Sequence, residues 1–218
     1  HWWEDWYRPT RVPSSVILNA VDLTQYTPHG LHERPSGHNR LLVVEGSLAG
    51  GLNYGVYNAV SLAEKLSKKF KIELMIVGQV DRRTKNKLKS QTAFRMQFRD
   101  TVPREHIPWL MRSSHLLFSV EVNPPCPNSV IEALACGLPV IGFDTGSLSE
   151  LVQGETGRLV PYGANPWKLE TPDIPALANA AAEVLDDQQR SRTSARERAE
   201  KIFDVEHMVD EYLKVLLS

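Results

Sequence analysis

The 218-residue sequence predicts an α/β fold, a Rossmann-like doubly wound parallel sheet with helices on both faces. Three observations predict it. Mostly apolar runs at 41–45, 72–78 and 116–120 have the composition of strands buried on both faces. Polar or helically periodic stretches alternate with these runs at the spacing of βα units. In residues 126–141, finally, a loop feeds a short helix and the helix feeds another apolar run.

Taken in order, the chain opens on Trp2, Trp3, Trp6 and Tyr7, aromatics dense enough to need a covering surface. Either this segment folds back on its own domain or it packs against a preceding one. Pro9, Pro13, Ser14 and Ser15 read as linker, and 16–23 as a short apolar run closed by an Asn/Asp turn. Residues 26–39 form a loop whose His29, His32 and His38 lack ligand spacing and are expected to be solvated. The strand at 41–45 runs into Gly46, Ser47, Gly50 and Gly51, and Val56, Ala59, Val60, Ala63 and Leu66 then keep helical spacing. Such a glycine loop lets backbone approach a ligand, or is a plain tight turn. It is not the dinucleotide fingerprint, since no G-x-G-x-x-G occurs, which counts against an NAD-type domain.

The second strand, 72–78, precedes a basic helix over 81–91 with a solvated face, and 95–98 is a third strand. A short helix over 107–112 and a strand over 116–120 follow. In the central stretch Ser129 stands as an N-cap, Glu132 completes a capping box, and Gly137 before Pro139 stops the helix. The N-terminus of that helix gathers free N–H groups and the positive dipole end, a setting for phosphate or diphosphate. Glu132 then faces sugar hydroxyls, or it only closes the capping box and stabilises the helix by about 1 kcal/mol. Ser147 and Glu150 form a second capping box, opening a helix that ends at Gly154, and 156–160 is an edge strand. Asp173 caps a helix with Leu177, Ala181, Val184 and Leu185 on its apolar face. Charged helices fill 188–217, with 190–201 a solvated surface.

Twenty-five basic against 26 acidic residues give a net charge of −1, which argues against a nucleic-acid partner. No run of about 18 apolar residues and no signal-peptide pattern occurs, so neither a transmembrane segment nor export is expected. Cys126 and Cys136 need not be bridged, and no Cys/His cluster has metal spacing. The composition suits a cytoplasmic protein without a structural metal.

The string CPNSVIEALACGLPVIGFDTGSLSELV, residues 126–152, resembles the signature of the group 1 (family 4) glycosyltransferases of the GT-B fold, S-x-x-E-A-x-A-x-G-x-P-V-I before a Gly-containing turn and a second Glu. The resemblance runs over about 16–217 and covers one half of a GT-B fold, the C-terminal donor-binding domain. It implies 1–15 as a linker or interdomain segment and 16–218 as a nucleotide-sugar-binding domain, partnered by an N-terminal acceptor domain. It further implies retaining, metal-independent transfer from a nucleoside diphosphate sugar, with that donor as substrate and no other cofactor. By the same resemblance Gly46, Gly50 and Gly51 admit the donor beside Ser47, and Asn128, Ser129 and Val130 hold diphosphate, with amides of Ser129 and Val130. Glu132 binds ribose, and the turn at Arg99 and Asp100 stands where relatives contact the base.

The chain departs from the family pattern at several of these positions. Relatives carry Gly-Arg and Lys-Gly around the first loop, whereas here stand Gly46-Ser47 and Tyr54-Gly55. Losing both cations weakens charge stabilisation by several kcal/mol unless others, Arg95 or Arg99, replace them. The family's first paired Glu falls at Pro124, and Glu121, three residues earlier, serves only if its loop is remodelled. These departures favour the alternative of a non-catalytic nucleotide-sugar-binding or interaction module of the same fold.

Overall fold

The computed structural model describes residues 15–48 and 54–217. The expectations for 1–14, Gly50 and Gly51 lie outside the described residues. Six parallel strands form one sheet in the order β3-β2-β1-β4-β5-β6: β1 (Asn39–Ser47), β2 (Ile72–Gln79), β3 (Arg95–Arg99), β4 (Leu116–Phe118), β5 (Val140–Phe143) and β6 (Gly157–Val160). The order reverses between β1 and β4, and open α/β sheets bind ligands beyond the carboxyl ends of the strands at such a switch point.

Alternation along the strands divides the core between the two faces. Leu41, Val43, Leu74, Ile76, Leu116, Phe118 and Ile141 pack with α1 (Tyr54–Leu66) and α6 (Ile174–Asp186). The expected apolar stripe of α1, from Val56 to Leu66, is buried there. Leu42, Met75, Val77, Leu117 and Val140 turn to the other face, against α3 (Ile107–Arg112), α4 (Asn128–Ala135) and α7 (Gln188–Ile202). Leu88 of α2 (Arg82–Gln91) joins the first face, and α5 (Leu148–Leu151) the second. Residues 16–23 form no strand. Val21 makes a single bridge to Asp204, just ahead of α8 (Val205–Leu217), while Asp22 closes the expected turn on Thr24 and Gln25.

Several local expectations are corrected. Strand β1 does not end at a tight turn after Glu45. It runs on through Gly46 and Ser47, with a register shift against β2 between Val44 and Ser47. The glycine this irregularity requires is Gly78, at φ +140°, where a Cβ would stand 2.0 Å from the Glu45 carbonyl oxygen. Neither capping box forms. α4 begins at Asn128 behind Pro127, which places Ser129 inside the helix, and Ser147 makes no capping hydrogen bond. Asp173 does cap α6, accepting from the Ala176 amide at 2.9 Å, and Gly137 ends α4 at φ +63°.

Helix α7 is also not the solvated surface its charge suggests. Ser191, Arg192, Ala195 and Ala199 are buried, and Arg192, Arg196 and Arg198 reach carbonyls of neighbouring segments. Arg196 bonds the carbonyls of Tyr26 and Ala135, and Arg198 those of Glu150 and Leu151. Two of the loop histidines are likewise engaged: His38 contacts Glu73 at 3.0 Å, and His32 packs on Trp109 at 5.1 Å between ring centroids.

Candidate functional site

The carboxyl ends of β1 and β4 and the N-terminus of α4 enclose a cleft of about 370 Å³, lined by Val44, Glu45, Gly46, Glu121, Pro125, Cys126, Pro127, Asn128 and Ser129. It lies at the topological switch point. Of the residues singled out in the sequence as donor-binding, it gathers Gly46, Asn128 and Ser129. Gly46 is exposed and a Cβ there would meet nothing within 4 Å, so its backbone is open to the cleft.

Among the described residues, the amides of Asn128 and Ser129 make no backbone hydrogen bond, as expected for the first turn of a helix. Val130 differs. Its amide donates to the Pro127 carbonyl at 3.1 Å and its side chain is fully buried, so it stiffens the turn rather than facing the cleft. The Asn128 side chain is fixed by Asn19, whose Nδ2 donates to Oδ1 at 2.9 Å. Asn19 belongs to the run at 16–23.

Glu132 lies one turn inside α4, 9% exposed, beside the cleft and not in its lining. Instead of capping the helix, its Oε1 accepts from the Tyr26 hydroxyl at 3.0 Å and lies 3.8 Å from the Arg104 guanidinium. Burial raises the carboxyl above its usual range, while the Tyr26 bond and Arg104 oppose the rise. Tyr26 is itself 1% exposed, and burial raises its hydroxyl. Reading the sequence as a loop from 26 misses Tyr26, because a contact spanning 106 positions leaves no periodic trace.

The cleft is acidic. Glu45 and Glu121 both line it, and burial, then the Glu121 charge, pushes the Glu45 carboxyl up to about 7. Glu121 thus reaches the cleft from its own position, three residues before Pro124. Pro124 is buried, and its carbonyl accepts from the Ser147 amide at 2.9 Å, against the Gly146 turn.

The remaining candidates fall elsewhere. Arg99 lines a separate groove of about 480 Å³ with Trp109, His106 and Gln97. Asp100 is exposed and pairs with Lys85. Arg95 is committed to Glu73, at 2.7 Å, alongside Arg40 at 2.5 Å. Neither Arg95 nor Arg99 therefore supplies a cation to the cleft. Both cysteines are free thiols, and burial pushes that of Cys136 up to about 12. Among the described residues there is no group of three or more His, Cys, Asp or Glu that could hold a metal ion. Nor is any helix among them long and apolar enough to cross a membrane.

Comparison with known proteins gives consistent findings. A family profile described as "Glycosyl transferases group 1" matches residues 40–187. The chain is 31% identical over 101 residues to the 2-deoxystreptamine N-acetyl-D-glucosaminyltransferase of Streptomyces fradiae, covering 46% of this chain and 22% of that protein. It is 28% identical over 113 residues to the N-acetyl-alpha-D-glucosaminyl L-malate synthase of Bacillus anthracis, covering 50% and 27%. Among solved structures, it matches sucrose-phosphate synthase from Thermosynechococcus elongatus with a TM-score of 0.73 at 20% identity, over 98% of this chain and 54% of that one. Anabaena HepE in complex with UDP-glucose matches with a TM-score of 0.69 at 18% identity, over 93% and 57%. The chain spans about a quarter of these two curated relatives and just over half of these two structural neighbours.

Proposed function

We propose, from the premise that the chain belongs to the group 1 glycosyl transferases, that it is the donor-binding half of such an enzyme. The donor is a nucleoside diphosphate sugar. The observation that carries this reading is the cleft at the β1/β4 switch point, where the unbonded amides of Asn128 and Ser129 face the open backbone of Gly46. A helix N-terminus offers a diphosphate both hydrogen bonds and a favourable dipole. Glu132, one turn further on, is oriented by Tyr26 to accept from ribose hydroxyls. HepE, a structural neighbour, was solved with UDP-glucose, and the sugar-nucleotide class is carried over to this chain on that likeness.

Transfer is metal-independent and retains the anomeric configuration in this reading, and a second domain supplies the acceptor surface. Such a domain is in keeping with the chain's span of just over half of its structural neighbours. The chain's own residues orient the donor: amides on the diphosphate, Glu132 on the ribose, and Glu45 with Glu121 toward the sugar.

A second reading, a nucleotide-sugar-binding or interaction module without turnover, is favoured by one observation. Pro124 is buried and tied to Ser147, so that position presents no carboxylate. Calorimetric titration of UDP, GDP and ADP and their sugar conjugates tests the main reading. Saturable binding of one nucleotide, lost in Glu132→Ala, is expected. If none binds at millimolar concentration, the donor site is wrong for this chain; binding without turnover once an acceptor domain is restored favours the module.

A further inference from the structure

At the amino edge of the sheet, three arginines lie around two adjoining clefts, none of them paired with a carboxylate among the described residues. Arg112 of α3 and Arg192 of α7 are each 8% exposed, yet they bond only backbone carbonyls. Arg112 donates to Thr27 at 3.2 Å and Leu31 at 3.4 Å, and Arg192 donates to Ser114 at 3.2 Å. Arg34, on the exposed loop, makes no ion pair among the described residues, and neither do the other two. Carbonyl dipoles offset only part of a buried charge, and each guanidinium has five N–H donors.

Two clefts open onto this cluster, and they share Pro28 and Arg34. One, about 480 Å³, is lined by Arg34, Arg112 and His115; the other, about 400 Å³, by Arg34, Arg192 and Gly137. Like charge is crowded at both. Burial and then Arg34 push Arg192 down to about 9, and burial, Arg34 and Arg192 push His115 down to about 4. His115 Nδ1 accepts from the Arg40 amide, so its neutral ring carries hydrogen on Nε2, one more donor. Glu33 and Glu197 line the clefts from exposed positions, without pairing to these arginines. Arg196 is already engaged by Glu200 at 2.7 Å.

We propose that Arg34, Arg112 and Arg192 form an anion site for a phosphate or diphosphate group, separate from the donor cleft. Planar guanidinium forks match the oxygens of a phosphoryl group, and its charge offsets the repulsion between Arg34 and Arg192. The site lies at the C-terminal end of α4, about 12 Å of helix away from Asn128. It does not depend on the donor reading. Its ligand is a soluble phosphorylated compound or a phospholipid headgroup.

The test is an NMR titration of the 15N-labelled chain with inorganic diphosphate at constant ionic strength. Saturable shifts are expected at the Arg112 and Arg192 Nε–H groups and at amides of 27–36. Arg34→Glu, at an exposed side chain, should weaken this response at least about tenfold and leave shifts at Asn128 and Ser129 unchanged. Arg192→Lys, which keeps the charge but not the fork, should weaken it less, with thermal melting confirming the fold. Shifts confined to Asn128 and Ser129, shifts that never saturate, or indifference to Arg34→Glu would overturn the proposal. Cosedimentation with phosphatidylglycerol but not phosphatidylcholine vesicles, reversed by diphosphate and lost in Arg34→Glu, assigns the headgroup. Diphosphate binding without sedimentation assigns the soluble compound.

Discussion

The two ends of helix α4 carry charge in opposite senses. At its N-terminus, where the dipole favours anions, the cleft wall carries the carboxylates Glu45 and Glu121. At its C-terminus, where cations are favoured, Arg196 bonds the Ala135 carbonyl, and Arg112 and Arg192 lie close enough to Cys136 to influence its thiol. Both arrangements obey the dipole, but each end crowds like charges: Glu45 with Glu121 in the cleft at the N-terminus, and Arg34 with Arg192 beyond the C-terminus. Crowding like charges out of water costs stability, and such costs concentrate at functional sites. The two ends therefore differ in the sign of the charge they crowd, acidic at the carboxyl edge of the sheet and basic at the amino edge.

The largest expected effect breaks the acidic end at its support. Gly78 admits the Glu45 carbonyl where no side chain fits, at a φ that L-residues rarely adopt. Gly78→Ala should cost about 3 kcal/mol or more, measured by chemical denaturation. A near-neutral result would mean that Glu45 is not held by the β1 irregularity.

Glu45 itself gives the next effect, and it has a definite sign. Its carboxyl rises from 4.5 to about 7 through burial and then Glu121, so between those pH values the folded chain holds more protons than the unfolded one. Stability should fall as pH rises from about 4.5 to about 7, by at most about 3 kcal/mol from this group. Glu45→Gln should flatten that dependence and be the more stable protein at pH 8. If the denaturation midpoints of the two proteins run parallel across pH, Glu45 is solvated and the acidic-cleft side of the comparison fails. With a nucleoside diphosphate present, the same substitution should tighten binding at pH 8, because it removes a negative charge from the cleft that takes the anion.

Tyr26 offers a smaller, more selective perturbation. Tyr26→Phe removes the 3.0 Å bond to Glu132 and should cost about 1–2 kcal/mol. Losing that bond raises the Glu132 carboxyl further, so nucleotide affinity should fall more at pH 6 than at pH 8. Equal losses at both pH values would mean that Tyr26 only packs.

How much of this was legible in the sequence follows the range of the interactions. Strands and the apolar helix faces were readable because their signal is local and periodic, as for Val56 to Leu66 and for Asp173. The capping boxes misled because capping residues compete. Pro127 starts α4 two positions early, and Glu132 finds Tyr26 instead of the backbone. The charge of α7 predicts a solvated helix because its composition is that of a surface helix. A signal was nonetheless present: Ser191, Ala195 and Ala199, small residues four apart, allow close approach of α4 and the inward reach of Arg192 and Arg196. The turn at Arg99 and Asp100 was matched by order along the chain, and order does not fix which cavity a turn faces.

That last point yields the smallest expected effect. Asp100 is exposed and paired with Lys85, and neither residue lines the cleft of Glu45, Asn128 and Ser129. An exposed ion pair contributes about 0–1 kcal/mol, so Asp100→Asn should change stability by less than about 0.5 kcal/mol. It should also leave nucleotide affinity within about twofold, about 0.4 kcal/mol. A loss of tenfold or more would show that the bound nucleotide extends from the acidic cleft across to the β3 turn. The functional edge would then include both cavities, and the contrast between the ends of α4 would describe only half of it.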